Sequence, residues 1–280
     1  MILVTGATGN LGRALRGELR DVPMRGLTRD LKGASRADFP EAVEGDLTRP
    51  ETLTSALDGV TSLFLLQGTG AEEAVLAEAE AAGVRHVVLV SSITVETHPH
   101  LPAAARNLTV EHALQSSGMT WTILRPTQFA SNTLWWAPGI RAHAEVRAPY
   151  PDTGLPTIHP ADIASVAHRA LTDPAHHNRT YALTGPARVA VRDQVTTLAE
   201  TLNREITLVE LTRAQAHRAM TAHLDPETAD AILDLTGGDV NEPLLRVRDT
   251  VEKITGTPAR TYAQWAAEHA SAFRQRPSDQ

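Results

Sequence analysis

Three glycines near the start of the chain have the spacing of a turn that binds phosphate groups. Gly6, Gly9 and Gly12 lie between a short apolar segment and a helical pattern of leucines. The first glycine permits a sharp bend, the second a close approach of the backbone to a pyrophosphate, and the third close packing of helix on strand. The helix N-terminus then presents free N–H groups and the positive end of its dipole to the phosphates.

This context favours a dinucleotide site over an ordinary glycine turn. Thr5, Thr8 and Asn10 offer extra hydrogen-bond donors within the same segment. The residues that we assign to the dinucleotide here are Gly6, Thr8, Gly9, Asn10, Leu11 and Gly12.

The second predicted strand ends in a residue that can select between two dinucleotides. Residues 24–28 have a strand pattern, and Arg29 follows them. An acidic residue at this point would bind the ribose hydroxyls of NAD, whereas an arginine would pair with the 2′-phosphate of NADP. Arg29 therefore favours NADP(H); the alternative interpretation is an exposed arginine without a ligand.

Strand and helix patterns alternate through the first two thirds of the chain. Short apolar strands are predicted at 2–4, 24–28, 42–44, 61–66, 86–90, 121–124 and 180–183, and helices between them at 50–57, 71–82, 103–117 and 162–171. Near-continuous apolar strands separated by amphipathic helices indicate an α/β fold, a doubly wound parallel sheet covered on both faces. Ligands of such sheets lie at the carboxyl ends of the strands.

Several polar or glycine-containing segments follow these strands, so we expect them to border one crevice. The further residues assigned to the cofactor along this edge are Asp46, Leu47, Leu66, Gln67, Gly68, Ser91 and Pro126.

Composition excludes several classes of protein. The 280 residues suffice for one large domain with a cap, and the net charge is −7 without a basic run, which argues against a nucleic-acid partner. The chain has no cysteine, so disulfides, thiolate catalysis and cysteine-ligated metals are excluded, and no cluster of metal ligands is present. No apolar stretch approaches the roughly 20 residues of a membrane span. Met1 runs directly into the first strand, so we expect no signal peptide and a cytoplasmic protein without a membrane partner.

Motifs along most of the chain resemble those of the NmrA-like group of atypical short-chain dehydrogenase/reductases. They are Val-Thr-Gly-Ala-Thr-Gly-Asn-Leu-Gly at 4–12, Gly-Asp-Leu at 45–47, Val-Ser-Ser at 90–92, Glu111, Trp-Thr-Ile-Leu-Arg-Pro at 121–126, His-Pro-Ala-Asp-Ile-Ala at 159–164 and Tyr-Ala-Leu-Thr-Gly-Pro at 181–186. The resemblance implies a Rossmann sheet of about seven strands that binds NADPH (NADP), with a small, mostly helical C-terminal cap. We accordingly predict a core at 1–130 and 157–185 and a substrate-binding cap at 131–156 and 186–280.

The family leaves the activity open, because its members include quinone reductases, isoflavone-type reductases and a nitrogen-regulation protein that senses the nicotinamide redox state. Short-chain dehydrogenases normally protonate the substrate with a tyrosine whose pKa is lowered by a lysine one helical turn later. The helix predicted at 103–117 contains neither residue, since the first tyrosine is Tyr150 and no lysine lies between Lys32 and Lys253.

Residues that cannot act as the usual proton donor stand where the catalytic residues are expected. Ser92 matches the substrate-orienting serine of the family by position, and Arg106 or Asn107 occupies the usual place of the lysine. Neither arginine nor asparagine can donate a proton at pH 7. We assign catalytic roles to Ser92 and Asn107, with Thr127 or Asn132 as further neutral donors. Histidines that could serve as a substitute acid are His98, His100, His143 and His159, although each is more simply interpreted as a surface or structural residue.

Three functions are compatible with this absence of a tyrosine acid. The first is an NADPH-dependent carbonyl reductase, of ketoreductase or quinone reductase type, whose aromatic, polyketide-like or quinone substrate stabilises its own oxyanion. The alternative is a non-catalytic NADP(H)-sensing regulator, and a scaffold with a vestigial nucleotide site is a weaker third option. The expected partner is a small aromatic molecule, and the expected state is a monomer or homodimer.

Half of the four tryptophans lie in the segment at 127–138. Large aromatic side chains offer flat apolar area with few rotors, which suits planar ring systems. The predicted substrate-contacting residues are Phe129, Asn132, Trp135 and Trp136; for the two tryptophans, burial in the core of the cap is the alternative interpretation. Beyond them we predict an irregular connection at 141–158, a strand at 206–209 and helices at 192–202, 212–223, 226–236, 243–254 and 261–273.

Overall fold

The computed structural model describes residues 1–31, 39 and 41–274. Its strands are β1 (Ile2–Val4), β2 (Met24–Thr28), β3 (Ala42–Glu44), β4 (Ser62–Leu66), β5 (His86–Val90), β6 (Thr120–Pro126), β7 (Glu145–Ala148), β8 (Arg179–Leu183) and β9 (Thr207–Glu210). Its helices are α1 (Asn10–Glu18), α2 (Thr54–Leu57), α3 (Glu72–Ala81), α4 (Thr94–Thr97), α5 (Pro102–Ser116), α6 (Ala137–His143), α7 (Pro160–Thr172), α8 (Val191–Leu202), α9 (Arg213–Met220), α10 (Pro226–Leu233), α11 (Glu242–Leu245), α12 (Thr250–Thr255) and α13 (Tyr262–Glu268). In this part of the chain, none of the helices combines the length and the apolar character needed to cross a bilayer.

Seven strands form one parallel sheet in the order β3-β2-β1-β4-β5-β6-β8. The order of strands reverses at β1, which pairs with β2 on one side and β4 on the other. The prediction of a doubly wound parallel sheet of about seven strands is confirmed. Ligands of such sheets bind where the strand order reverses, outside the carboxyl ends of the strands.

Both faces of the central strands β4 and β5 are buried, which explains their near-continuous apolar sequences. Leu63 and Leu65 of β4 belong to a core cluster that also contains apolar residues of α2, α3 and α5. Phe64, which points to the opposite face, is fully buried as well. Helix α7 packs on strands β4, β5 and β6, and α1 packs on α7. The apolar side chains on the two faces of β4 are therefore both covered by helices.

The chain divides into two compact units. The first unit comprises Met1–Pro126, Pro160–Leu183 and Thr250–Pro258, and the second comprises Thr127–His159, Thr184–Asp249 and Ala259–Gln280. Relative to the predicted boundaries, residues 127–130, 157–159 and 184–185 fall in the second unit. Helix α12, which we placed in the cap, falls in the first unit because it packs on α7 and β8.

The prediction of an irregular connection at 141–158 is wrong in its first part. This segment contains the end of α6 and the whole of β7, which pairs in parallel with β9 in a separate two-stranded sheet. Val146 and Ala148 of β7 are buried whereas Glu145 and Arg147 point outward. An alternation over only four residues predicts a strand weakly. The closely spaced prolines that follow it indicate a loop, so the sequence pattern favoured an irregular connection.

The continuous helix predicted at 243–254 is also wrong. Helix α11 ends at Leu245, and α12 begins at Thr250. Between them the backbone N–H of Arg248 donates to the Thr184 hydroxyl at 2.9 Å, and the Arg248 carbonyl accepts from the same hydroxyl at 3.2 Å. These contacts with a residue 64 positions away keep the segment between α11 and α12 out of the helical conformation. The local sequence pattern gives no sign of them.

His86, the first residue of β5, is a buried base whose ring has partners at both nitrogens. Nε2 lies 3.1 Å from the Ala170 carbonyl oxygen and Nδ1 lies 3.0 Å from the Thr120 hydroxyl oxygen. Because a carbonyl oxygen only accepts, Nε2 carries the proton of the neutral ring. The ring also stacks on His177 with centroids 4.2 Å apart. Burial, reinforced by the charge of His177, lowers the pKa of His86 from 6.5 to about 4.

We therefore predict that the free energy of unfolding falls as the pH drops from 6.5 towards 4. In this window the unfolded chain binds a proton at His86 that the folded chain excludes, so the contribution is complete above pH 6.5. The free energy of unfolding is measured with urea at pH 7.5 and at pH 5. Between these two pH values it should fall by about 2 kcal/mol more in the natural chain than in His86→Gln. His112→Gln, a change of an exposed histidine in α5, should keep the full loss. Equal pH sensitivity in His86→Gln and the natural chain would contradict the assignment.

Candidate functional site

The predicted cofactor residues follow the carboxyl ends of strands β1 to β6, all within the first unit. Because these strands are parallel, their carboxyl ends meet along the same edge of the sheet. Gly6, Thr8, Gly9 and Asn10 are exposed at this edge, whereas Leu11 and Gly12 are buried at the start of α1. Pro126 ends β6, and its carbonyl oxygen accepts the N–H of Ile93 at 3.0 Å.

The glycine turn brings α1 into direct contact with the end of β1. Gly6 has a φ of +60°, and the N–H of Gly9 donates to its carbonyl oxygen at 3.0 Å. A Cβ added at Gly12 would collide with that carbonyl oxygen and lie 2.6 Å from Ala7 Cα. Only glycine therefore permits this approach of helix to turn.

The N-terminus of α1 is suited to bind an anion. The helix begins after Gly9, has no acidic residue in its first turn, and receives no hydrogen bond from a capping side chain at Gly9. The first N–H groups of a helix lack intrahelical partners and lie at the positive end of its dipole. Thr5, which we predicted as an additional donor, is buried; its hydroxyl accepts the N–H of Leu66 at 2.9 Å and joins the ends of β1 and β4.

Two charged residues follow β2 and β3. Arg29 is exposed directly after β2. Asp46 Oδ1 accepts hydrogen bonds from the N–H of Thr48 at 3.0 Å and from its hydroxyl at 2.8 Å, and these bonds lower the pKa of Asp46. The N–H of Asp46 donates to Thr52 Oγ1 at 3.0 Å, so this loop is held in one conformation. Leu47 is half-buried against the core cluster.

A carboxylate that the sequence reasoning missed holds the loop after β4. Glu72 Oε1 accepts hydrogen bonds from the N–H of Gly68 at 2.8 Å and of Thr69 at 2.7 Å, and Oε2 accepts from the N–H of Gly70 at 3.0 Å. Burial of Glu72 opposes its ionisation, but these hydrogen bonds outweigh burial and lower its pKa. The signal available in the sequence was an acid in the first turn of α3, directly after a glycine-rich loop.

The same loop and α5 enclose a cleft of about 330 Å³ within the first unit. Its walls include Gln67, Gly68, Arg106 and Asn107. Gln67 Nε2 lies 3.4 Å from the Asn107 carbonyl oxygen, while Gln67 Oε1 is buried and has no hydrogen-bond partner among the described residues. The structure thus brings together Gln67, predicted for the cofactor, and Asn107, predicted for catalysis, and Gln67 carries the buried acceptor.

Ser91 and Ser92 have different surroundings although they are adjacent. The Ser91 hydroxyl donates to Glu111 Oε1 at 2.6 Å, and Arg125 donates to both oxygens of the same carboxylate. Glu111 is only 1% exposed, so this triad braces the ends of β5 and β6 from inside. In contrast, Ser92 Oγ accepts hydrogen bonds from the N–H of Thr94 at 3.2 Å and from its hydroxyl at 2.9 Å. These bonds do not use the proton of Ser92.

Each of the three tyrosines is engaged elsewhere. The hydroxyl of Tyr181 lies 2.9 Å from His176 Nδ1, and burial raises the pKa of Tyr181. Tyr262 is buried and donates to the Thr133 hydroxyl at 3.2 Å; burial raises its pKa further. The ring of Tyr150 lies where a Cβ of Gly237 would be. A raised pKa is the opposite of what a tyrosine acid requires.

The four candidate histidines are dispersed over the two units. His98 is fully buried in the first unit with Nδ1 at 2.8 Å from the Thr97 hydroxyl, and His100 is exposed nearby. His143 is exposed at the end of α6 in the second unit. His159 is buried in the same unit, with Nε2 at 3.2 Å from Glu268 Oε2.

The predicted substrate residues all belong to the second unit. Trp135 and Trp136 line a cleft, and Trp135 is 67% exposed, so the alternative interpretation of Trp135 as a core residue is wrong. Trp136 is half-buried against the core cluster of this unit. Phe129 forms a β-bridge with Ile158, and the N–H of Asn132 donates to the Phe129 carbonyl at 3.0 Å. The Thr127 hydroxyl donates to the Pro156 carbonyl at 2.7 Å and is buried.

Comparison with known proteins gives consistent matches over the whole chain. A family model described as NAD(P)H-binding matches residues 6–174. The chain is 40% identical to the (4-alkanoyl-5-oxo-2,5-dihydrofuran-3-yl)methyl phosphate reductase of Streptomyces griseus subsp. griseus, over 98% of this chain and 99% of that protein. It is 35% identical to the NAD(P)H azoreductase of Xenophilus azovorans, again over 98% of this chain and 99% of that protein.

A solved structure extends the similarity to three dimensions. The NADPH-dependent quinone oxidoreductase QOR2 of Escherichia coli is 27% identical, with a TM-score of 0.79 over 96% of this chain and 99% of that chain. A structure of QOR2 in complex with NADPH has a TM-score of 0.78, at 25% identity and the same coverage of both chains.

We predict that Gly12→Ala disrupts the turn and dinucleotide binding together. The added methyl group would overlap the Gly6 carbonyl, so α1 has to shift, at a cost of about 1–3 kcal/mol in the free energy of unfolding. Titration of NADPH fluorescence should show at least a tenfold rise in Kd.

Gly17→Ala provides a matched control in the same helix. A Cβ at Gly17 meets no atom within 4 Å, so this change should stabilise the chain by up to about 1 kcal/mol and leave NADPH affinity unchanged. Equal NADPH affinities of the two variants would refute the role of the close approach at Gly12.

Proposed function

Because the chain belongs to the NAD(P)H-binding family of NmrA-like atypical short-chain dehydrogenase/reductases, we propose that it is an NADPH-dependent reductase of acceptors that stabilise their own anion. One observation carries this proposal: the chain combines the glycine turn at 6–12 with a helix α5 that contains neither tyrosine nor lysine. The acceptor class is a quinone, or an aromatic or polyketide-like ketone flanked by a phenol.

The described residues fit a dinucleotide. The contact between α1 and the Gly6 carbonyl leaves room for no side chain at Gly12, and the first turn of α1 has no acidic residue to oppose a pyrophosphate. Gln67 contributes a buried acceptor without a partner in the described protein. The turn at 6–12 would hold the pyrophosphate and Arg29 the 2′-phosphate. The other residues proposed to contact the cofactor are Asp46, Leu47, Leu66, Gln67, Gly68, Ser91 and Pro126.

When bound, NADPH supplies a hydride. The contribution of the protein is then positioning and hydrogen bonding. We assign to Ser92 the donation of a hydrogen bond to the acceptor oxygen, since its own proton is not used in its bonds with Thr94. Asn107, on the wall of the 330 Å³ cleft, supplies a second neutral group. Neither residue delivers a proton, so water or the acceptor itself provides it.

The names of the relatives agree with this chemistry. The Streptomyces relative is named for a dihydrofuran ring whose double bond is conjugated with a ring carbonyl and an alkanoyl carbonyl. The Escherichia coli structure is of a quinone oxidoreductase. Hydride addition to either kind of acceptor leaves a charge delocalised onto carbonyl oxygen, as an enolate or a phenolate. Water can protonate such an anion without a strong enzymic acid.

We predict that the chain oxidises NADPH when offered a quinone but not when offered an isolated ketone. The assay follows the loss of NADPH absorbance with menadione, with a ketone flanked by a phenol, and with cyclohexanone as the acceptor that cannot delocalise its charge. Tight NADPH binding without turnover of any conjugated acceptor would refute the reductase and favour the NADP(H)-sensing alternative. Comparable turnover of cyclohexanone would show that an acid is present after all.

We predict that Arg29→Ala weakens binding of NADPH far more than binding of NADH. The guanidinium would lose a charge-assisted hydrogen bond to the 2′-phosphate, worth about 1.5–3 kcal/mol, which corresponds to at least a tenfold rise in Kd for NADPH alone. Arg85→Ala removes an exposed arginine that precedes β5, at the opposite edge of the sheet, and should change neither affinity. Equal losses for the two dinucleotides in Arg29→Ala would exclude the phosphate role.

A further inference from the structure

The second unit contains an apolar cleft that the cofactor does not account for. Its volume is about 480 Å³, within the range of about 300–1,000 Å³ that is typical of small-molecule sites. Trp135, Trp136, Met220 and Leu224 supply its apolar lining. All of its lining residues lie within the second unit.

The cleft contains two of the four exposed large apolar side chains of the described residues. Only four large apolar side chains of the described residues are exposed: Leu31, Trp135, Leu224 and Val247. Two of them, Trp135 at 67% and Leu224 at 37%, line this one cleft. Exposed apolar side chains gathered in a concave surface are typical of a binding site, whereas scattered ones need no explanation.

Two polar groups on the walls favour an anionic ligand. Arg147 of β7 is 60% exposed and lies 3.2 Å from Glu145, which is itself 32% exposed. Such a surface pair contributes little, so the guanidinium can exchange its partner for a ligand at low cost. His223 offers a ring N–H on the wall of the same cleft, and none of the described lining residues is acidic.

Ion pairs hold together the two helices that form one wall of the cleft. Arg213 at the start of α9 donates to Asp230 Oδ1 at 3.0 Å and to Asp234 Oδ1 at 2.7 Å, which ties α9 to α10 and the turn that follows it. Ala216 and Met220 of α9 and Ile232 of α10 line the cleft. The two helices that form one wall are therefore fixed to each other, and the cleft is formed before any ligand arrives.

We propose that this cleft binds a small molecule with an apolar ring body and one anionic substituent, with the rings against Trp135 and Trp136 and the anion on Arg147. The identification of this molecule as the acceptor that NADPH reduces rests on the proposed function, whereas the binding itself does not. Flat apolar rings match two neighbouring indoles, and a planar guanidinium matches a carboxylate, phosphate or sulfonate.

A pair of fluorescent probes tests both halves of the proposal. The first is 8-anilinonaphthalene-1-sulfonate, and the second is N-phenyl-1-naphthylamine, which has the same rings without the charge. The full chain is saturated with NADP⁺ to block the dinucleotide site, and each probe is titrated by fluorescence. Arg147→Gln should raise the Kd of the sulfonate at least fivefold and change that of the neutral probe by less than twofold. Arg147→Lys should restore part of the lost affinity.

Two further variants locate the probes. Leu224→Asp should weaken both probes at least fivefold, because it places a carboxylate on the apolar wall. Arg204→Gln, which removes an exposed arginine of the same unit outside the cleft lining, should affect neither probe.

Three results would overturn the proposal. They are an unchanged sulfonate affinity in Arg147→Gln, probe binding that is insensitive to Leu224→Asp, and a dimer in sedimentation velocity that excludes the probes and dissociates in Trp135→Glu. The last would assign the cleft to a second copy of the chain.

The NADPH turnover assay separates this proposal from the proposed function. Probe binding with the expected pattern but no turnover of any acceptor would retain the cleft and refute the reductase. Quinone turnover together with probe affinities that stay unchanged in Arg147→Gln and Leu224→Asp would retain the reductase and refute the proposal for the cleft.

Discussion

The close packing of α1 against the end of β1 is the constraint on which the rest of the first unit depends. Gly12 approaches the Gly6 carbonyl so closely that no side chain fits between helix and turn. This contact directs the first N–H groups of α1 to the carboxyl edge of the sheet, where the strand order reverses. Thr5 and Leu66 join the neighbouring ends of β1 and β4 by a hydrogen bond, which fixes these two strand ends relative to each other.

Two buried acids at this edge have their charges satisfied by the protein itself. The Glu72 carboxylate is held by the N–H groups of its own loop, and the Glu111 carboxylate by Ser91 and Arg125. Both acids are buried and structural. Of the groups predicted for catalysis, Ser92 and Asn107 are neutral at every ordinary pH. Among the described residues, this edge offers neutral hydrogen-bonding groups and no tyrosine–lysine pair to deliver a proton.

The sequence was sufficient for features that local periodicity and glycine geometry determine. The strands that follow one another through Val90 and the turn at 6–12 are of this kind. Features that depend on residues far away in the sequence could not be predicted from it. Strand β7 pairs with β9 some 60 residues later, and the orientation of the Ser91 hydroxyl depends on Glu111, 20 residues away. Trp135 illustrates a further limit, because an aromatic residue in a sequence is as typical of a core as of a binding surface.

A site without a proton-donating acid is limited by the free energy of the anion that hydride addition produces on the acceptor. An isolated ketone that gains a hydride becomes an alkoxide, which is about as basic as hydroxide. A phenolate corresponds to a pKa of about 10, so it is more stable by roughly 8 kcal/mol. A neutral hydrogen bond from a serine contributes about 0.5–1.5 kcal/mol, far less than this difference. Under the proposed function, delocalisation within the acceptor would supply what the neutral groups assigned to catalysis cannot, so quinones and conjugated carbonyl compounds are favoured over simple ketones.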